Sequence, residues 1–154
     1  DSGIDSVEFA VNFNKGDVLK PISKIASGGE ISRFMLALKN VISETDNIET
    51  LIFDEIDTGV SGVAAQTIGE KLKEISRYRQ VLCITHLPQI ASYADRHYLV
   101  EKFDTDITTE TVVSRLDDDE RVTELAKMIG GLNITNTTIE NAKELISKNN
   151  RSIK

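Results

Sequence analysis

The chain has 154 residues, which suits one compact domain, and 40% hydrophobic with 28% charged residues is typical of a soluble globular protein. Its net charge of −7 argues against this domain carrying the main nucleic-acid-binding surface, because phosphate binding needs a basic surface. The single cysteine, Cys83, excludes an internal disulfide and fits a reducing cytoplasm. No apolar stretch approaches membrane-spanning length, and no signal peptide opens the chain. Because Asp1-Ser2-Gly3 does not look like a natural start, we expect a fragment.

Hydrophobic periodicity predicts an α/β arrangement in the first hundred residues. The predicted elements are a half-buried strand over Ser6–Asn14, a helix from Glu30 to Ile42, a buried strand over Thr50–Phe53, a helix over Val63–Tyr78 with Ala64, Ile68, Leu72 and Ile75 on one face, and a second buried strand over Val81–Thr85. A strand, a helix and a strand of these lengths predict a right-handed βαβ unit with a parallel sheet.

The remaining sequence predicts flanking helices and a small β-hairpin. The predicted elements are a short helix over Pro88–Ala94, strands over His97–Phe103 and Thr111–Leu116 joined by Asp104-Thr105-Asp106, a helix through Met128 after the acidic run Asp117–Glu120 and ended by Gly130-Gly131, and a last helix to about Lys148 opened by a capping box at Thr137–Glu140. No internal repeat or linker interrupts the chain, so residues 1–154 are predicted to form a single domain.

The run Ser27-Gly28-Gly29-Glu30 combines a helix start with two glycines. Ser27 and Glu30 have the spacing of a capping box, which would suffice for a helix with nothing bound. Two glycines in the first turn, however, each cost on the order of 1 kcal/mol relative to Ala. They favour a close approach to bare amides at the positive end of the helix dipole, where an anion binds. The run therefore predicts a phosphate-binding surface.

Two acids, Asp54 and Glu55, directly follow the predicted strand Thr50–Phe53. They could simply solvate the strand end, but ligands of open α/β sheets bind outside the carboxyl ends of strands. Adjacent residues of a strand point to opposite faces, so the two carboxylates are expected to differ in role. Asp54 would hold Mg²⁺, largely through water, and Glu55 would orient and deprotonate an attacking water. The following loop, Asp57–Gly62, is either part of this site or an ordinary connection to the next helix.

His86 follows the second predicted strand. A lone histidine is usually structural, but at a strand end beside Asp54 and Glu55 it becomes a candidate contact for a γ-phosphate. The other histidine, His97, is interpreted as structural, and two separated histidines with one buried cysteine make no zinc site.

In this order, these motifs resemble those of the ABC ATPase superfamily. Lys24–Arg33 looks like the signature motif, Leu51–Glu55 the Walker B strand, Asp57–Gly62 the D-loop, and His86 the switch histidine. Together with Thr85-His86-Leu87-Pro88-Gln89-Ile90-Ala91 and Arg121–Gly131, they are similar to the SMC-like ATPases of bacterial DNA repair. One motif is missing, because no G-x-x-x-x-G-K-[ST] phosphate loop, the Walker A motif, occurs in the chain.

The resemblance implies a P-loop NTPase head of the ABC type that is split in sequence, this chain being its C-terminal lobe without the Walker A lobe. The cofactors would be ATP and Mg²⁺, with ATP sandwiched between two heads of a homodimer. Ser27, Gly28, Gly29 and Glu30 would bind the nucleotide of the partner head. Asp54, Glu55 and His86 would serve the nucleotide held by the N-terminal lobe of the same protein, with Asp57 of the D-loop also at the nucleotide. The isolated chain would then be inactive, whereas the longer protein would be a cytoplasmic, nucleoid-associated ATPase of DNA double-strand break repair and recombination, with DNA as a partner and no membrane.

Other functions remain open at the level of sequence. Asp54-Glu55-Ile56-Asp57 also fits the D-E-x-D pattern of helicase-type ATPases, but that interpretation leaves Ser27–Glu30 unexplained and lacks a downstream Ser-Ala-Thr motif. The same acids could form the metal cluster of a nuclease. The chain could also be a non-catalytic dimerisation module.

Overall fold

The computed structural model describes residues 3–12, 16, 18–24, 27–42, 47–104, 108–131 and 133–151. Within these residues the strands are β1 (Ala10–Val11), β2 (Lys20–Pro21), β3 (Thr50–Phe53), β4 (Gln80–Cys83), β5 (Tyr98–Asp104) and β6 (Thr109–Arg115). The helices are α1 (Gly28–Val41), α2 (Gly62–Ile75), α3 (Pro88–Ala91), α4 (Asp118–Gly130) and α5 (Asn136–Arg151), with a 3-10 turn at Ile22–Lys24.

The predicted βαβ unit is confirmed. Strands β3 and β4 are parallel, with Thr50 opposite Gln80 and Phe53 opposite Cys83, and helix α2 connects them. Leu51 and Phe53 point inward onto the apolar face of α2. This burial fixes the register, because a slip of one residue would turn both side chains to the opposite face.

Two details of this unit differ from the prediction. The strands are buried on one face only, since Ile52 is 69% exposed and its neighbour Leu82 is 46% exposed. Continuous apolar runs indicate strands covered on both faces, but the described residues supply helices on only one. On α2, Ile68, Leu72 and Ile75 are buried as predicted, whereas Ala64 is exposed and Ala65 is buried in its place.

Within its described part, the first predicted strand is much shorter than expected, and residues 13 and 14 lie outside the described residues. Of residues 6–12, only Ala10 and Val11 pair in a ladder, with β2, and the Phe9 carbonyl also accepts from the Ile22 amide at 2.8 Å. Val7 is 78% and Phe9 57% exposed. Alternation alone does not make a strand, because a strand also needs a hydrogen-bonding partner along its length. Phe9 makes one ring contact, edge-on to Phe34 of α1 with centroids 6.4 Å apart.

The predicted hairpin is confirmed. Strands β5 and β6 are antiparallel from Tyr98 opposite Arg115 to Asp104 opposite Thr109. The predicted turn is only partly described, since residues 105–107 lie outside the described part of the chain.

Helices α4 and α5 form a second small core with α3. Asp117 caps α4 in a capping box with Glu120, so the acidic run makes the cap and first turn of this helix, which ends at Gly130. Helix α5 begins earlier than predicted, because its capping pair is Thr135 and Thr138 rather than the predicted box at Thr137–Glu140. The buried apolar residues of this core are Ala91, Leu125, Ala126 and Ala142.

A buried polar cluster joins α3, α4 and α5. Asn149 donates to the Ser92 hydroxyl at 2.7 Å, and the Arg121 guanidinium donates to the Ser92 carbonyl at 2.9 Å. Such pairing is what allows these polar groups to be buried. Among the described residues, no helix combines the length and the apolar character needed to cross a membrane.

Candidate nucleotide site

The carboxyl ends of β3 and β4 lie at the same edge of the sheet. The parallel ladder continues past both strands, since the Ile84 amide donates to the Phe53 carbonyl at 3.0 Å. Asp54 and Glu55 therefore follow one strand where Thr85 and His86 follow its neighbour. The structure thus brings the predicted acids and the predicted histidine to one edge, as expected for parallel strands.

The two acids are both exposed but differ in backbone geometry. Asp54 accepts a hydrogen bond from the Glu55 amide on Oδ1, at 2.9 Å. Glu55 has a left-handed backbone with φ of 57°, the one positive φ among the described residues other than glycine. A non-glycine residue held in this region costs of order 1–3 kcal/mol, and such strain concentrates at functional sites.

Asp57 is buried against the residues that follow β4. It is 4% exposed, and its Oδ2 atom accepts hydrogen bonds from the Thr85 hydroxyl at 2.6 Å and the His86 amide at 2.8 Å. The same oxygen lies 2.9 Å from His86 Nδ1. The predicted D-loop residue thus contacts the predicted switch histidine, whose side chain is 74% exposed.

Burial by itself raises the pKa of Asp57, because it disfavours the charged carboxylate. The hydrogen bonds from Thr85 and the His86 amide, together with the charge of His86, outweigh burial and hold this pKa below its usual value of 3.8. Asp57 is therefore an anion at neutral pH, and its negative charge lies within the protein beside His86.

Ser27 caps helix α1. Its Oγ atom accepts a hydrogen bond from the Glu30 amide at 3.2 Å and donates to the Glu30 carboxylate at 2.8 Å. The predicted pairing of Ser27 with Glu30 is therefore present, with the serine hydroxyl bonded to Glu30. Residues 25 and 26 of the signature-like run lie outside the described part of the chain.

Both glycines of this run lie against the loop after β3. A Cβ atom on Gly28 would overlap the Glu55 carboxylate, and one on Gly29 would lie 2.9 Å from the Glu55 carbonyl oxygen. At Gly29 the neighbour is main chain, so packing requires glycine there, whereas at Gly28 the exposed Glu55 side chain could move aside. The Glu55 carboxylate thus sits at the positive end of the α1 dipole, where an anion is favoured.

Two side chains of α1 donate hydrogen bonds to main-chain carbonyls of this loop, and neither was identified from the sequence as a site residue. Ser32 donates to the Asp54 carbonyl at 2.8 Å, and Arg33 donates to the carbonyls of Ile56 and Thr58 at 3.2 and 2.8 Å. Both lie within the signature-like run, one helical turn after its glycines, which is the signal that could have identified them. Thr85 was also missed as a separate residue, although a polar residue at the end of an apolar strand is such a signal.

Mg²⁺ usually binds one or two protein carboxylates and completes its shell with water and substrate phosphates. The single exposed carboxylate of Asp54 fits that donor set. In the part of the chain that the structure describes, no group of three or more His, Cys, Asp and Glu could hold a metal ion by itself. This arrangement does not support a protein-only metal cluster, which the nuclease hypothesis requires.

No family model matches the chain. It is 50% identical over 146 residues to the DNA repair protein RecN of Halalkalibacterium halodurans, and 48% identical over 148 residues to RecN of Bacillus subtilis. RecN of Haemophilus influenzae is 45% identical over 145 residues. These matches cover 94–96% of this chain but only 26% of each RecN, so the chain spans about a quarter of the length of these curated relatives.

A solved structure from a study of ATP-driven dimerization and DNA-stimulated activation of SMC ATPases aligns with 77% of this chain and 70% of its own. The identity is 22% and the TM-score 0.49, which does not establish a common fold. The sequence relationship is much stronger: over almost its whole length, this chain is similar to the C-terminal region of the DNA repair protein RecN.

Proposed function

We propose that this chain is the C-terminal lobe of a split ATPase head of the ABC type, in an SMC-like protein of DNA double-strand break repair. The observation that carries the proposal is the common sheet edge at which Asp54, Glu55 and His86 follow the parallel strands β3 and β4. RecN relatives at 45–50% identity support the assignment to DNA repair. The protein acts in the cytoplasm on the nucleoid.

The sheet edge supplies the groups for hydrolysis of a γ-phosphate. Glu55 accepts a proton from the attacking water, and His86 contacts a phosphate oxygen through its exposed imidazole. Asp54 would hold Mg²⁺, which would neutralise charge on the phosphates. Different positions of the two carboxylates support this division of roles, since the Glu55 carboxylate lies against Gly28 of α1.

The N-terminus of α1 serves the nucleotide of a second head. Its first amides, at Gly28 and Gly29, lie beside the Ser27 hydroxyl at the positive end of a 14-residue helix. A phosphate approaching there meets the Glu55 carboxylate against Gly28, and like-charge repulsion would drive that side chain away from the helix. Pairing of two heads would therefore displace Glu55 from α1.

The outer face of the β3–β4 pair supports the missing half of the head. Ile52, Leu82 and Ile84 share this face and are 69%, 46% and 62% exposed. Adjacent exposed apolar side chains mark an interaction surface. The occupant we propose is the N-terminal lobe of the same protein, which carries the Walker A phosphate loop that is absent from this sequence.

Substitution of Glu55 by Gln in the longer protein tests this function. Gln keeps the shape but cannot accept a proton, so ATP hydrolysis should fall about 100-fold or more while ATP-dependent head pairing persists. Turnover is measured with and without double-stranded DNA, and pairing by size-exclusion chromatography. Glu140→Gln, at an exposed position of α5, is the matched control.

Each outcome separates the candidates. Unchanged turnover in Glu55→Gln removes Glu55 from the role of base. Loss of pairing together with hydrolysis would contradict the separate roles of Glu55 and α1. Pairing without any ATPase activity in the wild-type protein would favour the non-catalytic dimerisation module.

A further inference from the structure

The environment of the Asp57 carboxylate differs from that expected of a nucleotide ligand. It is buried, and one oxygen, Oδ2, accepts from the Thr85 hydroxyl and the His86 amide while lying 2.9 Å from His86 Nδ1. A carboxylate oxygen engaged by three partners has little capacity left for a ligand. Its contacts instead converge on the residues immediately after β4.

The contact with Nδ1 determines where His86 carries its hydrogen. The Asp57 carboxylate can only accept a hydrogen bond, so the 2.9 Å separation favours a neutral imidazole that carries its hydrogen on Nδ1. The side chain is 74% exposed, whereas Asp57 is 4% exposed. Nε2 is therefore the nitrogen available to a phosphate.

The other two hydrogen bonds fix the backbone that carries the ring. Thr85 Oγ1 donates to Asp57 and accepts from the Leu87 amide at 3.1 Å, so the carboxylate organises residues 85–87 as a unit. The His86 amide is held by the same oxygen. Asp57 thus constrains both the main chain and the imidazole of His86.

We propose that Asp57 is a positioning residue that fixes the Nδ1–H tautomer and the orientation of His86, so that Nε2 faces the γ-phosphate. The catalytic part of this inference rests on the proposed function, whereas the tautomer does not. Groups that orient metal-ligating histidines in this way change affinity or activity by about 10- to 100-fold when removed, and we expect a similar range here.

The first test measures the tautomer in this chain by the nitrogen chemical shifts of the imidazole rings. The chain has only two histidines, so assignment requires one variant, His97→Gln. Wild-type His86 should carry its hydrogen on Nδ1 at a pH where the ring is neutral. The neutral ring carrying its hydrogen on Nε2 would overturn the proposal, and the measurement requires no substitution at Asp57 or His86.

Three substitutions separate positioning from general support of the fold. Asp57→Ala should release the tautomer toward Nε2–H, whereas Asp57→Asn keeps an oxygen acceptor and should preserve Nδ1–H. Thr85→Val removes one hydrogen bond to the same carboxylate without touching Nδ1 and should also preserve it. An Asp57→Ala variant that retains the wild-type tautomer, or a Thr85→Val variant that loses it equally, contradicts the proposal.

The second test uses the longer protein. Asp57→Ala should lower kcat for ATP about 10- to 100-fold with little change in KM, and adding it to His86→Ala should cause no further loss. Additive effects in the double variant would show that Asp57 acts independently of His86 and overturn the positioning role. A wild-type protein without ATPase activity would refute the proposed function alone, because the tautomer measurement would stand.

Discussion

At the scale of single residues, burial disfavours the protonated form of His97. This half-buried histidine follows α3, and its Nδ1 atom has no hydrogen-bond partner among the described residues. Burial lowers the pKa of His97, the charge of Arg121 lowers it further, and Glu124 partly offsets both. The folded chain therefore disfavours the protonated imidazole relative to the unfolded chain.

This difference predicts an acid-sensitive stability. The pKa of His97 is lower in the folded state, so the unfolded chain binds the proton first and stability falls as the pH drops below about 6.5. Urea unfolding at pH 7.5, 6.5 and 5.5 measures the decline, and His97→Gln should make it shallower over this window. An equal decline in the variant would show that other groups are responsible.

At the scale of elements, buried hydrogen bonds add directional contacts between helices to those of the apolar cores. Among the described side chains of α5, the apolar core residues are Ala142, which is buried, and Ile139 and Ile146, which are partly buried. The bond from Asn149 to Ser92 Oγ supplies a directional contact near its C-terminal end, with Asn149 only 2% exposed. Position and rotation of α5 thus depend on this polar pair.

Replacement of Asn149 by Ala should lower the free energy of unfolding by about 1 kcal/mol, because Ser92 loses a buried donor. Asn141→Ala is the matched control, since it makes the same change of helix propensity at an exposed position of α5 and should stay within about 0.5 kcal/mol of wild type. Both are measured by urea unfolding. Equal effects at the two positions would remove the buried bond as the cause.

At the scale of the whole molecule, the β3–β4 sheet has one covered and one open face. Leu51 and Phe53 pack on the core, while Ile52 and Leu82, opposite one another in register, face outward. In the proposed head, that open face receives the N-terminal lobe. Substitutions of these outward-facing residues should therefore weaken association with the N-terminal lobe much more than they destabilise the fold of this chain.

The double variant Ile52→Ser, Leu82→Ser should leave the unfolding free energy of this chain within about 1 kcal/mol of wild type, because neither side chain is in the core. It should strongly weaken association with the separately expressed N-terminal lobe, measured by calorimetry, and the ATPase activity of the mixture. Val63→Ser, 80% exposed at the start of α2, is the control. Unimpaired association of the double variant would place the lobe on another surface.

The sequence by itself determined the local elements and the order of the candidate site residues. Glycines, caps and apolar periodicity are local features of the sequence, so the βαβ unit and the hairpin β5–β6 were predictable. The start of α5 was not predicted, because its capping pair lies two residues before the predicted one. Within its described part, the strand predicted over Ser6–Asn14 is limited to Ala10–Val11, because pairing depends on a partner that alternation does not specify.

Only the tertiary structure decided which side chains meet. Asp57 and His86 are 29 residues apart, and their contact exists because parallel strands bring both loops to one sheet edge. The close approach of Glu55 to Gly28 likewise depends on how α1 packs against the loop after β3. The sequence shows which residue types stand at the ends of strands and helices. The distances between those ends are set by packing, because packing brings together residues that are far apart in the chain.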